Sequence, residues 1–185
     1  MTPKFELLFI GERKPDLFSW LIQCGQRRIH GVKVNFSHVA ILVNGYWVYD
    51  STPKGFDLSN IDELLKGDLS VIRHRYELTL VPGTEDDALA WLRGRRGIPY
   101  GLLQGLGVVF PILRRFPFIR NGCKRAFCSE SGADFLYEFC GRKREHLFSR
   151  EILYTKAQWD SRLADRDWID PYTLLQIVKD YGVEI

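Results

Sequence analysis

Apolar and polar positions repeat with different periods in the two halves of this chain, and the switch predicts strands early and helices late. Phe5 to Ile10 is an apolar, strand-like run stopped at Gly11. From Pro15 to Arg28 the residues Leu17, Trp20, Leu21 and Cys24 recur at helical spacing on one face, with Asp16 in the first turn. Ser37 to Val43 and Tyr46 to Ser51 are strand runs joined at Asn44-Gly45, a strong hairpin signal. Ser59 predicts a cap for a short helix over 60–66. Two further strands are expected over 69–74 and 76–81, the second closed by Pro82-Gly83. Thr84 then predicts a capped helix to about Arg95, acidic at its start and basic at its end, as the helix dipole favours.

Beyond residue 96 the pattern changes. Gly97-Ile98-Pro99-Tyr100-Gly101 is a turn leading into an apolar insertion, residues 101–122. Its apolar core, Gly101 to Ile119, is interrupted by Pro111, Arg114, Arg115 and Pro117, so its unbroken length falls short of a membrane span. A buried helix followed by a proline-marked loop is the expected form; a flap that touches lipid or covers a substrate is the alternative. Cys128 or Ser129 opens a helix to about Phe139, with Phe135, Leu136 and Phe139 inward and Gly141 as its C-cap. Residues 145–169 read as short helices and loops. Asp170 caps, and Pro171 begins, a helix from Tyr172 to Tyr181 that ends at Gly182. Strands gathered before helices point to a single α+β domain over residues 1–185, an antiparallel sheet packed against helices.

Composition narrows the function classes. With 45% hydrophobic residues the chain can bury a substantial core, which excludes a disordered polypeptide. The net charge of +3 does not impose a nucleic-acid or membrane reading. Arginines cluster at Arg93, Arg95 and Arg96, at Arg114, Arg115 and Arg120, and at Arg142 with Lys143 and Arg144. No aromatic-interleaved motif accompanies them, so they read as solvated faces and no nucleic-acid partner is expected. The four cysteines, 24, 123, 128 and 140, lack the spacing of a secreted disulfide framework. No signal segment is legible at the N-terminus, and synthesis in the cytoplasm is the expectation.

Candidate chemistry lies in two runs roughly ninety residues apart: Phe36-Ser37-His38-Val39-Ala40-Ile41 and Arg125-Ala126-Phe127-Cys128-Ser129-Glu130-Ser131-Gly132. A thiol at a helix N-terminus sits beside unpaired N–H groups, which favours the thiolate, and a strand can hold an imidazole as its base. A third group must orient that base, and Asp50 is the candidate. Hairpin parity tests it. An even, two-residue loop sets His38 opposite Ser51, which then becomes the orienter; an odd loop of Val43, Asn44 and Gly45 sets His38 opposite Asp50. Cys24 and Cys140 read as packing residues, and His30, His74 and His146 as surface or structural.

Ser37-His38-Val39-Ala40-Ile41, the strand end Val48-Tyr49-Asp50, and Phe127-Cys128-Ser129-Glu130 together resemble the NlpC-like cysteine peptidases. The likeness is to their circularly permuted branch, which includes relatives of lecithin–retinol acyltransferase and in which the histidine precedes the cysteine. Gly97-Ile98-Pro99-Tyr100 is similar to the glycine-proline-tyrosine turn ahead of the family's nucleophile helix. The resemblance implies a papain-like, permuted arrangement with Cys128 as nucleophile, His38 as general base and then acid, and Asp50 as orienter. It implies Tyr100 as a substrate or oxyanion contact. The long apolar, arginine-bearing segment between Tyr100 and Cys128 departs from the family pattern, as does an acidic third residue from its cell-wall members.

The expectation is a cysteine hydrolase of amide bonds, with peptidoglycan stem peptides as the leading substrate and no cofactor. A cell-wall role needs a delivery route, such as a virion or a secretion apparatus. The same triad could instead hydrolyse or transfer acyl groups from lipids or thioesters, and the chain could serve as a component of a larger phage tail or secretion assembly. A structural zinc site from Cys123, Cys128, Cys140 and His146 has suitable ligand types. Its spacing argues against it, because the helix opened by Cys128 sets Cys140 roughly 18 Å away.

Overall fold

The computed structural model describes residues 2–66, 70–101, 127–140, 170–179 and 182–185. The insertion beyond Gly101, Gly141, Cys123, His146 and the run 145–169 lie outside these described residues.

The architecture is α+β. Strands β1 (Phe5–Glu12), β2 (His38–Val43), β3 (Trp47–Thr52), β4 (Gly55–Asn60), β5 (Ser70–Leu78) and β6 (Gly182–Glu184) form an antiparallel sheet in the order β4-β3-β2-β1-β5-β6. The helices are α1 (Leu17–His30), α2 (Ile61–Leu64), α3 (Glu85–Gly94), α4 (Cys128–Phe135) and α5 (Pro171–Val178). A π-helical turn, Leu136–Cys140, continues α4. Strand alternation sorts the core into two clusters. Leu7, Phe9, Val39, Ile41 and Tyr49 pack with Phe135 of α4 and Leu174 of α5; Leu8, Ile10, Ala40, Leu42 and Val48 pack with Ile61 and Leu64 of α2.

Several expectations need correction. The stripe of Leu17, Trp20, Leu21 and Cys24 is not the buried face of α1: Leu17 is 74% and Trp20 51% exposed, Leu21 and Cys24 are half-buried, and the buried residues are Ile22, Gly25 and Gln26. Polar Gln26 is accepted inside because its amide donates to the Phe36 carbonyl at 3.1 Å. Asp16 is the N-cap rather than a first-turn residue, accepting from the Ser19 N–H at 2.7 Å. The two strands expected over 69–81 are one, β5; its pairing with β1 shifts between Phe9 and Ile10, so a bulge bends the strand without ending it. β4 was not anticipated, because only Phe56 and Leu58 mark its apolar face. Asn60, not Ser59, caps α2, accepting from Glu63 N–H at 2.8 Å. Thr84 precedes α3 but makes no side-chain cap; its hydroxyl donates instead to the Val81 carbonyl.

At the chain's end, Asp170 caps α5 as expected, accepting from the N–H groups of Tyr172 and Thr173. Its other oxygen lies 3.0 Å from His30 Nε2, tying α5 to the last turn of α1. His30 is therefore a tether between two helices. Helix α5 ends at Val178, and Gly182 belongs to β6.

Candidate functional site

The hairpin between β2 and β3 decides where His38 and Asp50 stand. Asn44 and Gly45 both have positive φ, 53° and 69°, and the Tyr46 N–H donates to the Val43 carbonyl, as in a tight turn. Yet the ladder pairs Val43 with Trp47, so Tyr46 is an extra residue. Its carbonyl accepts the Ile61 N–H at 2.9 Å at the start of α2, and its ring meets Trp47 edge-on. The loop is odd, as the Asp50 reading requires, but it is Asn44-Gly45-Tyr46 and not Val43-Asn44-Gly45. Asp50 consequently pairs with Ala40, and His38 is opposite neither Asp50 nor Ser51. His38 lies diagonally from Asp50, two residues beyond the last β2–β3 pair, a separation that a side chain can bridge. Asp50 Oδ2 stands 3.1 Å from His38 Nε2.

Cys128 is delivered from the other side by α4. Phe127 is the extended N-cap, and the buried Glu130 carboxylate accepts the Phe127 N–H at 3.3 Å, closing the helix start from within. Cys128 is the first helical residue and is 2% exposed. Helix α4 can lie close on the sheet because Gly132 has no side chain. A Cβ there would sit 2.8 Å from Leu174 Cδ2 and 3.3 Å from Val39 Cγ1. This approach brings Cys128 near enough to His38 for its charge to act on the ring. Nε2 faces Asp50, so Nδ1 is the ring nitrogen that this contact leaves open.

The electrostatics follow from that meeting. Burial works against a charged His38, but the negative charge of Cys128 as a thiolate opposes it, and hydrogen bonds with Asp50 and Cys128 add to the charge of Asp50. The balance pushes His38 from 6.5 up to about 10. The arrangement can thus hold His38 as an imidazolium beside Asp50.

Tyr100 reaches the same place by a separate route. The Phe56 N–H donates to the Ile98 carbonyl and the Gly97 N–H to the Phe56 carbonyl, docking the turn onto β4. Gly55, at φ 115°, allows this approach: a Cβ there would lie 2.9 Å from the Ile98 carbonyl oxygen. Tyr100 then packs edge-on to Phe18 of α1 and against Phe127. Its hydroxyl is held protonated by burial first, and then by the charges of Cys128, Asp16 and Asp50.

Ser51, the alternative orienter, faces α4 instead of His38. Its hydroxyl lies 3.4 Å from that of Ser131, one turn after Cys128, and both serines are buried. This pair joins the strand of Asp50 to the helix of Cys128 and was not singled out in the sequence; the i, i+3 spacing of Cys128 and Ser131 was its only mark. Cys128, Ser131, Asp50, Ser51 and Phe56 line one small crevice. Of the zinc candidates, Cys128 and Cys140 lie at opposite ends of the α4 and π-helical run, and no group of three potential ligands occurs among the described residues. Among the described residues no helix is long and apolar enough to cross a membrane. No family model, curated protein or solved structure matches the chain.

Proposed function

We propose that this protein is a cysteine hydrolase of papain-like, circularly permuted arrangement, acting through Cys128, His38 and Asp50. The observation that supports the reading is the position of His38, 3.1 Å from the Asp50 carboxylate and within the electrostatic reach of Cys128 at the start of α4. In this reading the thiolate attacks the carbonyl carbon of an amide, and the carbonyl electron pair moves to oxygen. The Cys128 N–H, at the first position of α4 with no carbonyl of its own helix to meet, donates to that oxyanion. The His38 imidazolium gives its proton to the leaving amine, releasing it and leaving an acyl thioester. His38, now neutral, takes a proton from water as the water attacks the thioester, and the thiolate returns with the carboxylic acid as product. Asp50 holds the ring in one orientation throughout. Peptidoglycan stem peptides are the proposed substrate, in keeping with the resemblance of the His38 and Cys128 runs to NlpC-like peptidases.

A second reading, hydrolysis or transfer of acyl groups from lipids or thioesters on the same triad, is favoured by the apolar sequence from Gly101 to Ile119 that follows Tyr100. Purified protein offered murein stem peptides and, separately, acyl esters and thioesters discriminates the two. The expected result is turnover of the stem peptides that disappears in Cys128→Ala. Turnover of the acyl compounds alone selects the second reading. Turnover of neither, or turnover that survives in Cys128→Ala, removes both.

A further inference from the structure

We infer that the outer face of α1 is a docking surface for an anionic lipid bilayer. At 100° per residue, Leu17, Trp20, Leu21 and Cys24 form one continuous stripe; Leu17 is 74% and Trp20 51% exposed, Leu21 and Cys24 are half-buried, and the opposite face buries Ile22, Gly25 and Gln26. An apolar helical stripe left at the surface is a place where something else is bound.

Charge says what. Arg27, at one edge of the stripe, and Arg28, in line with it one turn beyond Cys24, are exposed, as are Lys14 just before the helix and Lys33 just after it. The sole acid from residue 13 to residue 33 is Asp16, and its carboxylate is engaged as the N-cap with Ser19. Leucine and tryptophan on the apolar arc, with arginines at its edge and at its C-terminal end, is the composition of a helix that lies in a membrane interface: the apolar residues enter the acyl boundary while the long cationic chains reach out to phosphate. A protein partner of the same helix would need an acidic groove; a bilayer needs only anionic headgroups. The helix is also close to the candidate site, because Phe18, next to Leu17, packs on Tyr100.

The surface does not depend on the thiol chemistry, and the test separates the two. The full chain is sedimented with vesicles of phosphatidylcholine alone and of phosphatidylcholine containing about a quarter phosphatidylglycerol. Wild type and Cys128→Ala are expected to bind the anionic vesicles equally, and to bind the neutral ones about tenfold less. Leu17→Ser with Trp20→Ser, both at exposed positions, is expected to weaken anionic binding about tenfold or more with far-ultraviolet circular dichroism unchanged. Arg27→Glu with Arg28→Glu is expected to weaken it similarly and to flatten its dependence on salt. Failure to bind anionic vesicles overturns the inference, as does binding that both double variants retain. So does a dimer in solution that Leu17→Ser with Trp20→Ser dissolves, since the stripe would then belong to a second copy of the chain.

Discussion

Asp50 is paired across the hairpin with Ala40, yet its carboxylate reaches diagonally to His38, with Oδ2 3.1 Å from Nε2. The diagonal is set by Tyr46, the extra residue at the turn, which the carbonyl contact to Ile61 holds in place. The contact commits Nε2 to Asp50 and leaves Nδ1 as the free ring nitrogen, so a small irregularity in a turn fixes which end of the ring meets the carboxylate.

Removing the base and removing its orienter have separable consequences. His38→Ala is expected to lower kcat by on the order of 10²–10⁴-fold with little change in KM, as for loss of general acid–base catalysis. Asp50→Asn is expected to cost less. The pH profile supplies the sign. His38 is raised from 6.5 to about 10, so its imidazolium form persists below that value and is lost above it. The alkaline limb of kcat/KM in wild type is expected near 10, and in Asp50→Asn it moves to lower pH, because Asp50 is one of the groups raising His38. Stability follows the same direction: the contribution of His38 is complete below 6.5 and fades as pH rises through about 10. Initial rates across pH and urea unfolding at several pH values check both statements.

Close packing of α4 on the sheet is expected to be sensitive to a single methyl group. Gly132→Ala sets a Cβ 2.8 Å from Leu174 Cδ2 and 3.3 Å from Val39 Cγ1, so a helix or a side chain must yield. A loss of about 1–3 kcal/mol is expected by denaturant unfolding, with a larger loss for Gly132→Val. Any retreat of the helix also withdraws Cys128 from His38, so turnover is expected to fall in the folded fraction.

The N-cap of α5 titrates with the opposite sign. Burial alone would raise Asp170, but hydrogen bonds with His30 and Thr173 and the His30 charge overcome it, holding the carboxyl below its usual 3.8. Its stabilisation is therefore present above about 3.8 and lost as pH falls through the depressed value. Asp170→Ala is expected to cost about 1–2 kcal/mol near neutral pH. The difference from wild type is expected to shrink in strong acid, which thermal unfolding at neutral and acidic pH reads out.

The residues of the candidate site were legible in sequence because each belonged to a short local signal: Cys128 before a helical run, His38 at the head of a strand, Asn44-Gly45 as the turn between. The odd parity of the hairpin was also within reach, since the pairing of His38 with Asp50 demanded it. Its register was not, because Tyr46 is displaced by a contact with Ile61 that no local pattern encodes. The orientation of α1 was hidden for a related reason. Leu17, Trp20, Leu21 and Cys24 make the more conspicuous stripe, but the face with Gln26 turns inward, where Phe36 offers that amide a carbonyl. Gly132 and the Ser51–Ser131 pair were invisible because their role exists only once α4 lies on the sheet.

The ring of His38 reports directly on whether the thiol and the carboxylate share it. Titration of its ring resonances by NMR, in wild type and in Cys128→Ser, reads that without any substrate. The expected midpoint in wild type is near 10, falling in Cys128→Ser because the charge and hydrogen bond of the thiolate are gone. A midpoint close to 6.5 in both proteins would contradict the pairing of Cys128 with His38, and with it the proposed chemistry.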